Sequence, residues 1–204
     1  MAEFTFNISL SILNHLGRNL YRSIITVLGE AISNSWDADA KNVYISIDRA
    51  SNSIVIQDDG RGMNEEDFQD KFLKIGYSKR KNGMRLSPGD RPYIGRKGIG
   101  KLALLSCAKK ITVLSRIEGG ELIGGIIDNA GLDDAIKDDI STNDYILETP
   151  SKDIIKRYEG SIKQGTVIIF EDITEGIKNR VEHIRKLIAL YFRFSLLDSN
   201  FTIH

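Results

Sequence analysis

The chain has 204 residues, enough for one domain with a real core, or one domain and a small appendage. Its 28 basic and 28 acidic side chains cancel, which removes any global electrostatic argument for nucleic acid or an anionic membrane. No apolar run approaches a membrane span, and the lone cysteine, Cys107, can form no internal disulfide; both argue against membrane and disulfide-scaffold classes.

Phe4, Phe6 and Ile8 alternate and predict a short strand or extended arm. His15 and Gly17 mark a break before a long helical pattern from about 18 to 37. With Glu30 at zero and about 100° per residue, Asn34 falls near 40° and Asp37 near −20°. Ile24, Ile25, Leu28 and Ile32 lie on the opposite side. The helix thus has an apolar back and a carboxylate–amide–carboxylate front. A solvated face normally pairs Glu with Lys or Arg four residues on. Asn and Asp here make a poor exposed surface and a reasonable site for a hard cation.

Val43, Ile45 and Ile47, then Ile54, Val55 and Ile56, predict a hairpin over 42–58. The turn Asp58-Asp59-Gly60-Arg61-Gly62-Met63 follows, where glycines let the backbone bend sharply and approach a ligand. A carboxylate at a strand end can accept a hydrogen bond from an exocyclic amine such as that of adenine; a plain tight turn is the alternative. Asn64 is an N-cap for a helix through Phe68, Phe72 and Leu73. Residues 74–101 hold nine Lys/Arg and one acid, Asp90, a concentrated positive segment in a neutral protein. It reads as a mobile loop closing over polyphosphate, as a nucleic-acid patch, or as a solvated charge run.

Gly95-Arg96-Lys97-Gly98-Ile99-Gly100-Lys101-Leu102 would open the next helix, running through Leu105 to Ala108. Backbone N–H groups at such a start form an anion site. It is not a Walker A loop, since Leu102 stands where Ser or Thr must hold magnesium. Nor is it a dinucleotide fingerprint, since no strand runs into it. Residues 110–117 and 121–127 read as a second hairpin about Gly119-Gly120. Residues 128–160, with nine acids against four bases, read as a loop-rich insertion. Gly165-Thr166 leads into a strand at 167–170, a helix is predicted over 177–193, and 199–204 end as a strand. Trp36, Tyr191, Phe192 and Phe194 read as packing residues, and Cys107 as a small buried helix residue. His15, His183 and His204 are too scattered to form a metal set. Strands in antiparallel pairs between helices predict an α+β fold: a two-layer sandwich with a mixed, mostly antiparallel sheet and helices on one face.

Glu30-x-x-x-Asn34-Ser35-x-Asp37-Ala38, then Asp58-Asp59-Gly60-Arg61-Gly62-Met63, then the glycine loop from Gly95, then Gly165-Thr166 before a strand, is an ordered set. It resembles the motifs of the GHKL ATPases with the Bergerat fold. These include gyrase-type topoisomerase subunits, the large heat-shock chaperone, histidine kinases and MutL-type mismatch-repair ATPases. The resemblance spans about 18–170 and is closest to MutL-like, Morc-like and chaperone-type members; Ile75-Gly76-Tyr77-Ser78-Lys79 resembles their segment before the lid. It implies magnesium-dependent ATP binding and hydrolysis driving a conformational cycle and an ATP-dependent homodimer formed through the N-terminal arm. Position by position it implies Glu30 as general base, Asn34 as magnesium ligand together with the ATP phosphates, and Asp37 as a supporting partner near the nucleotide. Asp58 would read adenine, and Gly60, Gly62 and Met63 would shape the adenine and ribose wall. Gly95, Gly98, Gly100 and Lys101 would form the phosphate lid, Ser78 and Lys79 would be further contacts, and Thr166 would bond adenine or a bridging water.

One ATPase domain is thus expected over 1–204, with an arm at 1–17, a lid at 75–100 and the insertion at 128–160. It is expected to be the N-terminal piece of a longer protein, in the cytoplasm (or the nucleus of a eukaryote). DNA or a protein client would be engaged through further domains. The gyrase- and MutL-type enzymes take a γ-phosphate lysine from a following domain, and nothing after Phe170 resembles it, so hydrolysis by this piece is expected to be slow. A histidine-kinase catalytic domain, or a nucleotide-gated nucleic-acid-binding module with little turnover, are the alternatives.

Overall fold

The computed structural model describes residues 10–11, 23–77, 85–95, 103–104, 106–142, 144–174, 177, 181–192 and 198–204. Six strands form one sheet in the order β4-β3-β5-β2-β1-β6. They are β1 (Asn42–Asp48), β2 (Ser53–Asp58), β3 (Ala108–Arg116), β4 (Ile123–Asp128), β5 (Gly165–Ile173) and β6 (Thr202–Ile203). All neighbours are antiparallel except β1 and β6, which run parallel. The expected α+β fold with a mixed, mostly antiparallel sheet is therefore what forms.

Side-chain alternation divides the sheet cleanly. Val43, Ile54, Ile56, Ile111, Val113, Ile168 and Phe170 point to one face and join the main core. Helix α1 (Ile24–Asp37) lays Ile25, Leu28, Ala31 and Ile32 on that core, four positions that recur at the three- and four-residue spacing of one helix face. Ser23 caps α1, its hydroxyl accepting from the Ile25 N–H at 3.3 Å. Its extended backbone sets the helix start at Ile24, later than the predicted 18. Asn64 caps the short helix α2 (Glu65–Asp67) as expected, but this continues as a π-helical turn over Phe68–Phe72, which stacks Phe68 on Phe72 at 5.3 Å.

The insertion is less loop-rich than its composition suggested. It holds helix α3 (Asn129–Lys137) and helix α4 (Lys152–Glu159), capped by Asp128 and Ser151. Ile154, Ile155 and Tyr158 of α4 pack beside Leu114, Val167 and Ile169 on the second sheet face, so that face is covered as well. Leu10 packs with Leu132 and Ala135 of α3. The predicted helix does not reach Ala108, because Ala108 already pairs with Ile173 as the first residue of β3. Cys107 is buried just before that strand, not in a helix. Helix α5 (Val181–Tyr191) buries Ile184, Ile188 and the following Phe192, whereas Tyr191 is 70% exposed and is not the packing residue expected. The predicted arm strand at 3–9 and Phe194 lie outside the described residues.

Candidate functional site

Three paired positions build the floor of the site. Asp58, the last residue of β2, is opposite Thr166 on β5, and Thr166 is opposite Ser115 on β3. Paired residues share a sheet face, and this is the face that carries α1. The row is where hydrophobic alternation is interrupted by three polar side chains in register.

Asp58 is almost wholly buried. Its Oδ1 accepts from the Gly60 N–H at 2.9 Å and the Thr166 N–H at 3.3 Å, and its Oδ2 accepts from the Ser35 hydroxyl of α1 at 2.9 Å. Burial pushes the carboxyl up to about 6, partly countered by those hydrogen bonds. A carboxylate offers about four acceptor positions, so three protein donors leave one on Oδ2. Asp59 behaves oppositely. Partial burial alone would raise it, but the side chain of Asn42 and the backbone of Asn42 and Lys41 donate to it and hold it below its ordinary value. Asp58 is left with spare accepting capacity, while Asp59 is committed to fastening the β1 entry.

Ser115, missed in the sequence, is fully buried and ties the floor together. Its Oγ accepts from the Met63 N–H at 3.0 Å, donates to the Gly165 carbonyl at 3.0 Å, and lies 3.0 Å from Thr166 Oγ1. Only register could have found it, since a serine inside a strand carries no motif. Gly62 explains the turn's second glycine. It has φ of +66°, and a Cβ there would sit 1.8 Å from the Arg116 carbonyl oxygen. The turn is pressed against β3, so this glycine serves chain packing. Met63 packs partly against the main core, and Gly60 contributes the N–H that Asp58 accepts.

The α1 stripe divides. Glu30 and Asn34 are partly buried, whereas Asp37 is buried to 1%. The Asp37 carboxylate accepts from the backbone N–H groups of Ile94 at 2.8 Å and Gly95 at 3.1 Å. The third member of the stripe is therefore covered by the 85–95 segment and does not face solvent. The same segment is fastened elsewhere on the helix end. Asp39 accepts from the Ser87 hydroxyl and from the Gly89 N–H at 3.1 Å, and pairs with Arg61 at 3.1 Å. Trp36 Nε1 donates to the Pro92 carbonyl at 3.0 Å. Arg91 stacks over Trp36 at 4.7 Å, donates to the Ala40 and Asn200 carbonyls and lies 3.6 Å from Asp198. This part of the predicted lid is strapped down, and one of its basic residues is directed into the fold. Ser78, Lys79, Gly98, Gly100 and Lys101 lie outside the described residues.

The site combines a buried carboxylate with a spare acceptor position, a helix stripe with an amide beside a carboxylate, and a glycine segment tied to that helix. The model of the histidine kinase-, DNA gyrase B- and HSP90-like ATPases matches residues 21–127. The chain belongs to this GHKL ATPase family. ATP binding and hydrolysis are the general chemistry of the family. The chain is 36% identical over 199 residues to a putative type II restriction enzyme, HgiDII, of Herpetosiphon aurantiacus, covering 98% of this chain and 30% of that protein. It is 31% identical over 144 residues to the chaperone protein HtpG of Sulfurovum sp., covering 59% of this chain and 23% of that one. With HtpG of Rickettsia canadensis the figures are 27% over 196 residues, 85% and 28%. The chain thus spans less than a third of these relatives. Among the described residues no helix is long and apolar enough to cross a membrane.

Proposed function

We propose that this GHKL domain binds ATP with its base against Asp58 and hydrolyses it with Glu30 as general base. The observation that supports this best is the Asp58 carboxylate. It is buried under α1, held by Gly60, Thr166 and Ser35, and retains one acceptor position on Oδ2. A buried acceptor of that kind favours an exocyclic amine, which adenine has at position 6. Glu30 and Asn34 stand one turn apart on the same helix that orients Asp58. Glu30 would accept the proton of the attacking water, and Asn34 would offer its amide oxygen to magnesium. Magnesium prefers one or two protein ligands beside phosphates and water, and a single amide suits that need. Asp37 holds Ile94 and Gly95, and the proposed phosphate loop would continue from that anchored segment.

The test is phosphate release by the full-length protein. Glu30→Ala should keep ATP affinity and lose about 10²–10⁴-fold in turnover. Turnover at the wild-type rate would remove Glu30 from the base role. Release without any histidine-bearing partner separates an ATPase from a histidine kinase. We also propose that binding drives dimerisation in the cytoplasm and that the client is DNA rather than protein. The support for DNA is the putative restriction enzyme, which aligns over nearly all of this chain. Stimulation of turnover by duplex DNA, and not by an unfolded protein, is the outcome that reading requires.

A further inference from the structure

We propose that Ser115 is a positioning residue that fixes the Thr166 hydroxyl as a pure hydrogen-bond acceptor and thereby sets preference for a 6-amino over a 6-oxo purine. This rests on the assignment of the Asp58–Thr166 row as the base-reading site.

The argument is a proton count. Ser115 Oγ is fully buried and meets three polar atoms, each at 3.0 Å. Two have fixed polarity. The Met63 N–H can only donate, and the Gly165 carbonyl can only accept. A hydroxyl has one proton and two lone pairs. The Ser115 proton therefore lies on Gly165, and one lone pair takes the Met63 N–H. The remaining lone pair faces Thr166 Oγ1, so Thr166 supplies the proton of that contact. This is the one assignment that makes all three contacts hydrogen bonds. Thr166 is only partly buried, and with its proton committed to Ser115 its oxygen would meet a base with lone pairs alone.

The neighbouring Asp58 presents the same polarity from Oδ2. The rung is thus acceptor beside acceptor. An amino group at purine position 6, or a water donating to both oxygens, satisfies it. A 6-oxo group brings a third acceptor and finds no proton. Removing the Ser115 hydroxyl frees the Thr166 proton to rotate outward, where it can serve a 6-oxo group.

The experiment titrates the full-length protein, in magnesium, with ATP and with inosine triphosphate, which differ at the 6 position and in the N1 proton that accompanies it. Wild type should favour ATP. Ser115→Ala should narrow the ratio of the two affinities by about tenfold, the worth of one hydrogen bond, mainly by tightening inosine triphosphate. Thr166→Val, which leaves Ser115 in place, should narrow the ratio by weakening ATP instead. In the double variant the Ser115 change should have no further effect on inosine triphosphate. An unchanged ratio in folded Ser115→Ala overturns the proposal, as does an unchanged ratio in Thr166→Val should the serine variant fail to fold. Failure of wild type to bind either nucleotide would instead overturn the base-reading assignment itself.

Discussion

Asp58→Asn should stabilise the nucleotide-free protein while removing its grip on adenine. The carboxyl goes from an ordinary 3.8 to about 6 on burial. A pKa raised by folding means that the folded state holds its proton more tightly. Stability from this group is then full below the unfolded value and is lost as pH rises from about 4 to about 6. That shift corresponds to about 3 kcal/mol at pH 7, at about 1.36 kcal/mol per unit. Asparagine carries no such charge, and the surroundings accept it. Its oxygen can keep the Gly60 and Thr166 N–H groups. Its amide can donate to Ser35, whose hydroxyl also lies 3.1 Å from the Ala31 carbonyl and can turn its proton there. Thermal unfolding should place the variant roughly 6–12 °C above wild type at pH 7. The gap should close towards pH 4. ATP affinity should fall by at least about tenfold at pH 7, with the difference between variant and wild type shrinking below pH 6. A variant less stable than wild type at pH 7, or a gap indifferent to pH, would refute the reasoning that the buried charge is a cost the fold carries for binding.

Asp37→Ala removes the acceptor of the Ile94 and Gly95 N–H groups, and should cost roughly 3 kcal/mol as two charge-assisted bonds are lost. Hydrogen exchange at those two amides should accelerate before that of β2 or β5. Gly62→Ala meets both a positive φ and the Arg116 carbonyl at 1.8 Å, and should destabilise by at least about 3 kcal/mol in denaturant titration. A neutral result there would mean that β3 yields to the turn. The Cys107 thiol, pushed up to about 12 by burial, should resist alkylation at pH 8 until the protein unfolds.

The parts of the molecule legible in the sequence are those whose chemistry is local. The 42–58 hairpin was visible because Ile45, Ile47, Ile54 and Ile56 alternate, and the same alternation buries Ile54 and Ile56 in the core. The α1 apolar back was visible because a 3.6-residue period needs no partner to be read. What was not legible depends on register or on contacts distant in sequence. Ser115 matters because β3 and β5 align it with Thr166, a pairing 51 residues apart. Asp37 belongs to the polar stripe by angle, yet its burial is decided by Ile94 and Gly95, 57 and 58 residues on. The basic segment 74–101 was open to three readings because composition carries no partner information. Arg91 illustrates this, since Trp36, Ala40, Asp198 and Asn200 engage it. The insertion's helices were hidden because acidic composition suggested loop, while the Asp128 and Ser151 caps were sufficient to start them.

One helix carries or contacts the parts that the proposed function brings together. Glu30 and Asn34 sit on its partly buried stripe, Ser35 reaches back to Asp58, and Asp37 and the following Asp39 hold the 85–95 segment. The carboxylate of Asp37 stands at the helix C-terminus, where the macrodipole disfavours negative charge. Two backbone N–H groups offset that, so the 85–95 segment and the helix end stabilise one another. Any tilt of α1 that brings Asn34 nearer to a phosphate would therefore also move Ser35 against Asp58 and draw on the Ile94 and Gly95 bonds. On the proposed function, base recognition, cation binding and lid position would be mechanically linked through four consecutive residues, Asn34 to Asp37. The linkage predicts that Ser35→Ala, far from the phosphates, weakens ATP binding and also accelerates exchange at the Gly95 amide. If Ser35→Ala changes affinity while leaving Gly95 exchange untouched, the helix is a passive scaffold and the coupling must be sought elsewhere.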